Sequence, residues 1–550
     1  MSIIYRVRVF TTACLLLFVI TSCAASAAPV AQSTLVPAAP SATTIPPTVA
    51  PPTTSPSNPT PNTATPAPSV PTTAPAATAA PQEDSFLVRQ KAALRPENAA
   101  DLAAAAGWDR YTIIAAINPA ERTIIGTAQV IVTNRTAAPF STIWFHLYPN
   151  HPDFGGRLDV ASATIDGTPV ASRTMHGDTL FGLDLPQPLA PGAVATVDLG
   201  FVTRTPRNAS NNTFGAFNQE AGVWSMANFY PILARSNLAS GWDTRPVSSR
   251  GDFAVSSTAL YEVTIDAPVG WTLVSTGVST GVEPVTADVR RERFVSGPQR
   301  EFYLAALDGL AQASSTIDGT RVVSYYQPGN PAAGERALAV AEDSLRIFNT
   351  RYGQYPLAEF EVIQAALTQF LGMEYPGVVL IEQELYRRNG RGLETTVVHE
   401  AAHQWWYSLA GNDAQSEPWL DEGMASYAQV LYYEALGSNA AATAELDAYR
   451  DLYRRAREAG RDAPLGSPPD ALRGNYVPIV YAKGGLFFHA LRNRIGEEAF
   501  SAFLREYQAA GRYRDVRGED LLAAAENACD CDLQKFYGDW VLRAVPVPIP

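Results

Sequence analysis

Cysteine is scarce in this chain, which has 4 Cys in 550 residues. Two of them, Cys14 and Cys23, lie near the N-terminus, and the other two belong to the short sequence Cys529-Asp530-Cys531. This number excludes a disulfide framework, and a lone Cys-x-Cys pair is no metal site. The pair is compatible with a local disulfide or with two free thiols. We therefore expect the fold to be stabilised by burial of a hydrophobic core.

An excess of basic residues is also lacking. The chain has 41 Lys and Arg against 54 Asp and Glu, which gives a formal net charge of -13. A protein that binds nucleic acid through its phosphates needs a basic surface, so the charge argues against that class of function. The acidic balance is compatible with ordinary solubility and does not indicate a substrate.

A long apolar run is missing as well. The apolar residues 9–20 follow two arginines, but the run is shorter than the roughly 20 residues of a membrane-spanning helix. Ile20-Thr21-Ser22-Cys23 resembles a bacterial lipobox, so we interpret residues 1–23 as a lipoprotein-type signal peptide with Cys23 as the lipidated N-terminus. An uncleaved anchor is the alternative. Either interpretation predicts an extracytoplasmic, membrane-anchored protein at a bacterial cell surface or on the periplasmic side.

Residues 24–84 consist mainly of Ala, Pro, Thr and Ser. Such a composition cannot bury a core, and it predicts a disordered, partly polyproline spacer. Beyond it, residues 85–315 contain short alternating or β-branched runs separated by Gly and Pro, which predicts an all-β sandwich or saddle domain. From about Gly334 the apolar spacing becomes helical, so we predict a second, mainly α-helical domain over residues 316–550.

The most informative motif is H-E-A-A-H at residues 399–403. Residues i and i+4 share one face of a helix, so the imidazoles of His399 and His403 can converge on one ion, with Glu400 beside them. The sequence W-L-D-E-G then places Glu422 one turn into the next predicted helix. We predict one Zn²⁺ per chain, held by His399, His403 and Glu422, with a fourth position for water and with Glu400 as general base.

The surrounding sequence supports a buried helix, because residues 393–406 are apolar on most sides. We expect this helix to end at Gly411 and the next to run from about Pro418 to Tyr433. The competing interpretation is a buried helix whose histidines only satisfy hydrogen bonds. Glu422 on the second helix favours the metal site, because it completes a set of three ligands.

Together these motifs resemble the gluzincin metallopeptidases of the aminopeptidase N and leukotriene hydrolase family. Two further motifs strengthen the resemblance. Gly372-Met373-Glu374 lies where that family has G-A-M-E-N, and Tyr481 opens the sequence Y-A-K-G-G, as the family's catalytic tyrosine does. The resemblance covers roughly residues 105 to 545. It implies a thermolysin-like catalytic domain packed against a β domain, with the active site in the cleft between them.

The resemblance also implies roles for these residues. Tyr481 would donate a hydrogen bond to the developing oxyanion, with Tyr476 as a second candidate. Gly372, Met373 and Glu374 would bind substrate, with Glu374 pairing with the α-ammonium of a peptide that has a free N-terminus. Zinc-dependent removal of N-terminal residues is therefore the predicted activity.

The sequence departs from the family in the β-rich half. The family's F-P-C-x-D-E-P region has no convincing counterpart, although Asn228-Phe229-Tyr230-Pro231 and Gly241-Trp242-Asp243 occupy that stretch. A second amine-binding side chain cannot be placed from the sequence. An endopeptidase or an epoxide hydrolase on the same scaffold therefore stays open, as does a surface-tethered binding protein that keeps an inactive peptidase fold.

Overall fold

The computed structural model describes residues 84–105, 107–207, 215–237 and 241–550. The predicted signal peptide with Cys23, and the spacer as far as residue 83, lie outside these residues. The described residues belong to one compact unit that spans residues 79–550. Within the described ranges, no helix combines the length and the apolar composition that crossing a membrane requires.

The chain is mainly β-structure up to Leu307, after a short helix α1 (Ser85–Gln90). The strands are β1 (Asp109–Asn118), β2 (Thr123–Thr133), β3 (Phe140–His146), β4 (Arg157–Ile165), β5 (Thr168–Pro169), β6 (Ser172–Met175), β7 (Leu180–Leu189), β8 (Val194–Arg204), β9 (Phe217–Glu220), β10 (Val223–Met226), β11 (Ile232–Leu233), β12 (Ser236–Asn237), β13 (Gly241–Trp242), β14 (Ala259–Pro268), β15 (Thr272–Ser275), β16 (Val278–Pro284), β17 (Val289–Gln299) and β18 (Leu304–Leu307). An eight-stranded sheet has the order β16-β17-β14-β1-β2-β8-β4-β5. Two four-stranded sheets have the orders β15-β18-β10-β9 and β11-β3-β7-β6, and β12 pairs with β13.

A five-stranded sheet joins this part to the helices. It consists of β19 (Ala311–Ile317), β20 (Thr320–Tyr326), β21 (Glu359–Ala365), β22 (Gly372–Met373) and β23 (Val378–Glu382), in the order β19-β20-β21-β23-β22. Consecutive residues of β21 are buried. Because alternate side chains point to opposite sides of a strand, β21 is buried on both faces. Val362 packs into the core of the helices, whereas the next residue, Ile363, packs into the core of the β-rich part.

The remaining described residues are mainly helical. The helices are α2 (Pro331–Tyr352), α3 (Gln383–Arg388), α4 (Arg391–Ala402), α5 (Trp419–Ala435), α6 (Asn439–Glu458), α7 (Pro469–Leu472), α8 (Gly484–Ile495), α9 (Glu497–Gly511), α10 (Gly518–Cys529) and α11 (Gln534–Tyr537), with π-helical segments at Val477–Lys483 and Gly538–Leu542. The short strands β24 (Ala410–Gly411) and β25 (Arg514–Asp515) pair in parallel. Cys529 and Cys531 form a disulfide.

The predicted order of a β-rich part followed by a mainly helical part is confirmed. The domain boundary near residue 315 stays a prediction, because the five-stranded sheet begins at Ala311 and belongs to both cores. The predicted helix end at Gly411 is wrong, because α4 ends at Ala402. Residues 410 and 411 pair instead with β25, about a hundred positions later in the chain, and such tertiary pairing overrides a local helix signal.

Helices α5 and α8 cross at two glycines, Gly423 and Gly484. A Cβ atom added at Gly484 would lie 2.8 Å from the Cα of Gly423, so only glycine permits this distance between the backbones. Gly423 follows Glu422, and Gly484 follows the π-helical segment that carries Tyr481. The crossing therefore brings two of the predicted site residues together.

We expect Gly484→Ala to lower the free energy of unfolding by about 1 to 3 kcal/mol, because the added methyl group meets backbone atoms that cannot turn away. Urea denaturation measures this difference. Gly474→Ala is the matched control, since a Cβ atom there meets nothing within 4 Å. Equal stability of the two variants would contradict the close helix crossing.

Candidate metal centre and active site

His399, His403 and Glu422 meet in one buried cluster. His399 lies in the last turn of α4, His403 is its C-cap, and Glu422 is in the first turn of α5. The Nε2 atom of His399 is 3.0 Å from Oε2 of Glu422 and 3.2 Å from Nε2 of His403. The third distance, from Nε2 of His403 to Oε2 of Glu422, is 3.4 Å. The structure therefore brings the three predicted ligands together.

This donor set fits a zinc ion. Ligands about 2.0 to 2.1 Å from a tetrahedral zinc lie about 3.3 Å from one another, and the three donor atoms already have that spacing. The charges agree. Burial works to lower the pKa of His403, but Glu374, Glu422 and Glu400 outweigh it and raise that pKa well above its usual value. Burial likewise works to raise the pKa of Glu422, but hydrogen bonds from both histidines lower it to about 2. The cluster thus favours a positive charge at its centre.

The far sides of both imidazoles are also engaged. Nδ1 of His403 lies 3.0 Å from the carbonyl oxygen of Trp406, and Nδ1 of His399 lies 3.0 Å from the side-chain amide of Gln429. A histidine that binds metal through Nε2 carries its proton on Nδ1, and that proton needs an acceptor. The carbonyl oxygen of Gln429 can accept it once the amide is turned over, and the amide nitrogen then faces the hydroxyl of Tyr449.

We expect Gln429→Leu to weaken zinc affinity about 10- to 100-fold, because His399 loses the partner that holds its ring. Competition with a chromophoric chelator measures the affinity. Gln429→Glu is the matched control, since a carboxylate also accepts the Nδ1 proton and should preserve binding. If the Leu and Glu variants bind zinc equally, Gln429 does not support the ligand.

Glu400 lies beside this cluster at the edge of the five-stranded sheet. Carboxylate oxygens of Glu400 and Glu374 and a ring nitrogen of His403 lie within 4.8 Å of one another. Gly372, on edge strand β22, packs directly on Glu400, because a Cβ atom added there would lie 2.1 Å from Oε1. Burial raises the pKa of Glu400 to about 8, and a cation in the cluster would oppose that rise. Met373 is half-buried and lines the cavity described below.

Tyr481 approaches the same cluster from the π-helical segment at residues 477–483. Its ring stacks on His399 with the ring centroids 5.7 Å apart, and its hydroxyl donates to Oε1 of Glu422. Burial raises the pKa of the Tyr481 phenol well above its usual value, so the group stays a hydrogen-bond donor. Tyr476 packs against Tyr481 at 6.0 Å, and its buried hydroxyl has no hydrogen-bond partner among the described residues.

Glu374 lies in a small cavity of about 30 Å³, room for about one or two water-sized groups. The lining residues are Phe154, Ala216, Asn228, Gly251, Asp252, Phe253, Ala254, Glu301, Met373, Glu374, Tyr375 and Tyr407. Three of them are carboxylates and none is basic. Burial, followed by repulsion from neighbouring carboxylates, raises the pKa values of Glu374 and Asp252 well above the usual range. The cavity therefore suits a small cation.

Asp252 is a cavity residue that was not predicted from the sequence. It comes from the β-rich half, faces Glu374 in this cavity, and has a buried Oδ2 atom without a hydrogen-bond partner among the described residues. Of the two stretches proposed for this region, Asn228 does line the cavity, whereas Asp243 forms ion pairs with Arg235 and Arg245 instead. A single aspartate after a glycine carries no sequence signal of such a role.

Gln404, which follows the second histidine, holds the turn after Glu374. Its Oε1 accepts a hydrogen bond from the backbone N–H of Gly377 at 2.8 Å, and its Nε2 donates to the carbonyl oxygen of Tyr375 at 3.3 Å. The side chain is completely buried. Gln404 therefore fixes the edge that carries Glu374 relative to the helix that carries the histidines.

Comparison with known proteins finds a family model that the helical part matches. Residues 336–540 match the model of the peptidase family M1 domain. Aminopeptidase M1-A of Oryza sativa subsp. japonica is 26% identical over 303 residues, which are 51% of this chain and 34% of that protein. Aminopeptidase N of Lactococcus lactis subsp. lactis is 27% identical over 269 residues, 45% of this chain and 31% of that protein. The chain thus spans about a third of the length of these relatives.

A solved structure resembles more of the chain. The M1 zinc metallopeptidase from Deinococcus radiodurans superposes with a TM-score of 0.62 and 21% sequence identity, covering 80% of this chain and 95% of that one. At this identity the likeness establishes the fold, in which a β-rich part and a helical part are combined as they are here.

Proposed function

We propose that this chain is a zinc-dependent aminopeptidase, because its residues 336–540 match the model of the peptidase family M1 domain. One observation carries the proposal. Donor atoms of His399, His403 and Glu422 have the mutual spacing of zinc ligands, and Glu400 lies beside them on the same helix. The aminopeptidases among its relatives support the activity.

The chemistry follows from the placement of three groups. A zinc ion held by His399, His403 and Glu422 would polarise the scissile carbonyl and acidify a water molecule. Glu400 takes a proton from the attacking water as the new carbon–oxygen bond forms, and then delivers it to the amide nitrogen as the carbon–nitrogen bond breaks. The Tyr481 hydroxyl turns from Glu422 to donate to the developing oxyanion. The products are a free amino acid and a peptide shortened by one residue.

The cavity around Glu374 explains why one residue would be removed at a time. The carboxylates of Glu374 and Asp252 can hold the α-ammonium group of the substrate, and aromatic side chains also line the cavity. Edge strand β22, paired with β23, offers backbone groups along which the peptide can lie. A blocked N-terminus would bury an uncharged group among carboxylates, so free peptides are the favoured substrates.

We expect Glu374→Ala to raise the Michaelis constant for peptides with free N-termini at least about tenfold, because the α-ammonium group loses a buried charged partner. Steady-state kinetics with one peptide series measure this constant. Inhibition by the acetylated forms of the same peptides is the control, since these forms lack the ammonium group. Equal weakening of both forms would contradict the anchoring role.

The activity itself is tested with a peptide library presented with free and with acetylated N-termini, with and without a zinc chelator. Mass spectrometry should show stepwise loss of single residues from the free peptides only, and the chelator should abolish it. Internal cuts that ignore acetylation would indicate an endopeptidase. No cleavage by zinc-loaded protein would favour the epoxide hydrolase or the binding protein.

We also propose that the enzyme is extracytoplasmic and anchored to a membrane through a lipid on Cys23. The lipobox-like sequence at residues 20–23 supports this location, and so does the Pro- and Thr-rich stretch behind it, which would hold the enzyme away from the bilayer. Membrane fractionation of cells that express the wild type and Cys23→Ser is the test. If both sediment equally with membranes, the lipid anchor is wrong.

A further inference from the structure

Glu301 is a buried carboxylate that the proposed mechanism does not use. It lies two residues after β17 and lines the same cavity as Glu374 and Asp252. Its Oε2 accepts a hydrogen bond from Nδ2 of Asn228, and its Oε1 accepts one from the hydroxyl of Tyr407. Both donors are uncharged, and no ion pair to Glu301 occurs among the described residues. Burial raises the pKa of Glu301, because taking a carboxylate out of water costs free energy. A role at this site would explain why a carboxylate is kept there.

Both partners of Glu301 have backbone conformations that side chains rarely adopt. The φ angle is 51° at Asn228 and 132° at Tyr407, and neither residue is glycine. Such conformations persist where surrounding contacts hold them, and they concentrate at functional sites. One carboxylate therefore joins a strained residue from the β-rich part to a strained residue that follows the histidine helix.

Neighbours of Glu301 hold the same segment. The guanidinium of Arg300 donates to the carbonyl oxygen of Tyr407 at 2.7 Å, and the Ser408 hydroxyl donates to Oε1 of Gln299 at 3.1 Å. Together with the hydrogen bond from Tyr407 to Glu301, three hydrogen bonds thus hold the segment that contains Tyr407. On the Asn228 side, in contrast, Glu301 is the partner that fixes the direction of the carboxamide.

Asn228 is where this contact meets the substrate cavity. Nδ2 of Asn228 donates to Glu301, and Oδ1 is the atom of the carboxamide that can accept a hydrogen bond from an ammonium group. An ammonium group has three donors, and the cavity accommodates a group of that size. Carboxylates of Glu374 and Asp252 can accept two of these hydrogen bonds, which leaves one for Oδ1 of Asn228.

We infer that Glu301 is a positioning residue of the amine subsite, which fixes the Asn228 carboxamide so that its oxygen accepts a hydrogen bond from the substrate α-ammonium group. The inference rests on the proposed aminopeptidase function. It assigns to this chain a contact within its β-rich part, from Glu301 to Asn228, that sets the Michaelis constant rather than the chemical step.

The test measures binding of butylammonium to the zinc-loaded protein by calorimetry, with 1-butanol as the neutral probe. Glu301→Leu removes the partner of Asn228, and we expect it to weaken butylammonium binding about tenfold or more, the loss typical of one hydrogen bond to a charged group. Binding of 1-butanol should not change. Because binding is measured directly, failure of the peptidase proposal, seen as absence of peptide cleavage, stays distinguishable from failure of this one.

A double-mutant cycle decides whether Glu301 acts through Asn228. We expect Asn228→Ala to weaken butylammonium binding as much as Glu301→Leu does, and the double variant to be no weaker than either. Fully additive losses would overturn the inference, and so would unchanged binding by Asn228→Ala. That variant alone keeps the test decisive if Glu301→Leu does not fold.

Two further variants separate positioning from a general structural role. In Glu301→Gln, the amide oxygen can still accept from Asn228, and the amide nitrogen can donate to the Tyr407 hydroxyl, so binding should stay within about threefold of wild type. Tyr407→Phe removes the other hydrogen bond and should lower stability without weakening butylammonium binding. Weakening by Tyr407→Phe equal to that of Glu301→Leu would mean that Glu301 acts through the fold and not through Asn228.

Discussion

Glu400→Gln should lower kcat about 100- to 10,000-fold, the range over which a positioned general base contributes. Glutamine has nearly the shape of glutamate, so its packing against Gly372 is preserved while its capacity to take a proton is lost. The Michaelis constant and the zinc content should change little, because Glu400 is placed beside the three ligands and is not one of them. Steady-state kinetics and metal analysis of the purified variant measure these quantities.

Stability provides an independent check on the same variant. Glu400 is buried, and burial raises its pKa to about 8. Replacing it with an uncharged amide therefore removes the free-energy cost of taking a carboxylate out of water. The melting temperature of the metal-free variant should therefore equal or exceed that of the wild type. Glu394→Gln is the matched control, because Glu394 lies on the same helix in a surface ion pair with Arg336 and should leave kcat unchanged. A kcat of Glu400→Gln within tenfold of wild type would require another base.

The cluster of His399, His403 and Glu422 could be predicted because the signal for each residue lies within one element. His399 and His403 are four residues apart on a helix, and that spacing alone places both rings on one side. Glu422 needed only the assumption that the next helix packs across the first. The structure brings all three together, and it places Glu400 and Glu374 next to them.

The supporting residues could not be predicted, because their contacts join distant parts of the chain. Gln429, Gln404 and Glu301 act through hydrogen bonds to groups on other elements, and a glutamine or a glutamate has no spacing rule that reveals such a contact. Asp252 is isolated in sequence and gains its meaning from the approach of Glu374, more than a hundred residues later.

The early end of helix α4 has the same kind of cause. Local sequence favoured continuation to Gly411, because residues 404–410 contain no helix breaker. The guanidinium of Arg300 and the pairing of β24 with β25 instead draw the chain out of the helix after His403. Tyr481 illustrates a milder case, since the motif identified the residue but not the π-helical turn that aims its hydroxyl at Glu422.

Tyr481→Phe should lower kcat about 100- to 1,000-fold, which corresponds to the 2.7 to 4 kcal/mol lost when one oxyanion donor is removed from such a site. The ring would remain stacked on His399, so substrate binding and zinc content should be preserved. Tyr476→Phe is the matched control, because the Tyr476 hydroxyl has no partner among the described residues and lies on the neighbouring turn. If Tyr476→Phe loses more activity than Tyr481→Phe, the two assignments must be exchanged. If Tyr481→Phe loses zinc in proportion to activity, the hydroxyl serves to hold Glu422 and not to stabilise the transition state.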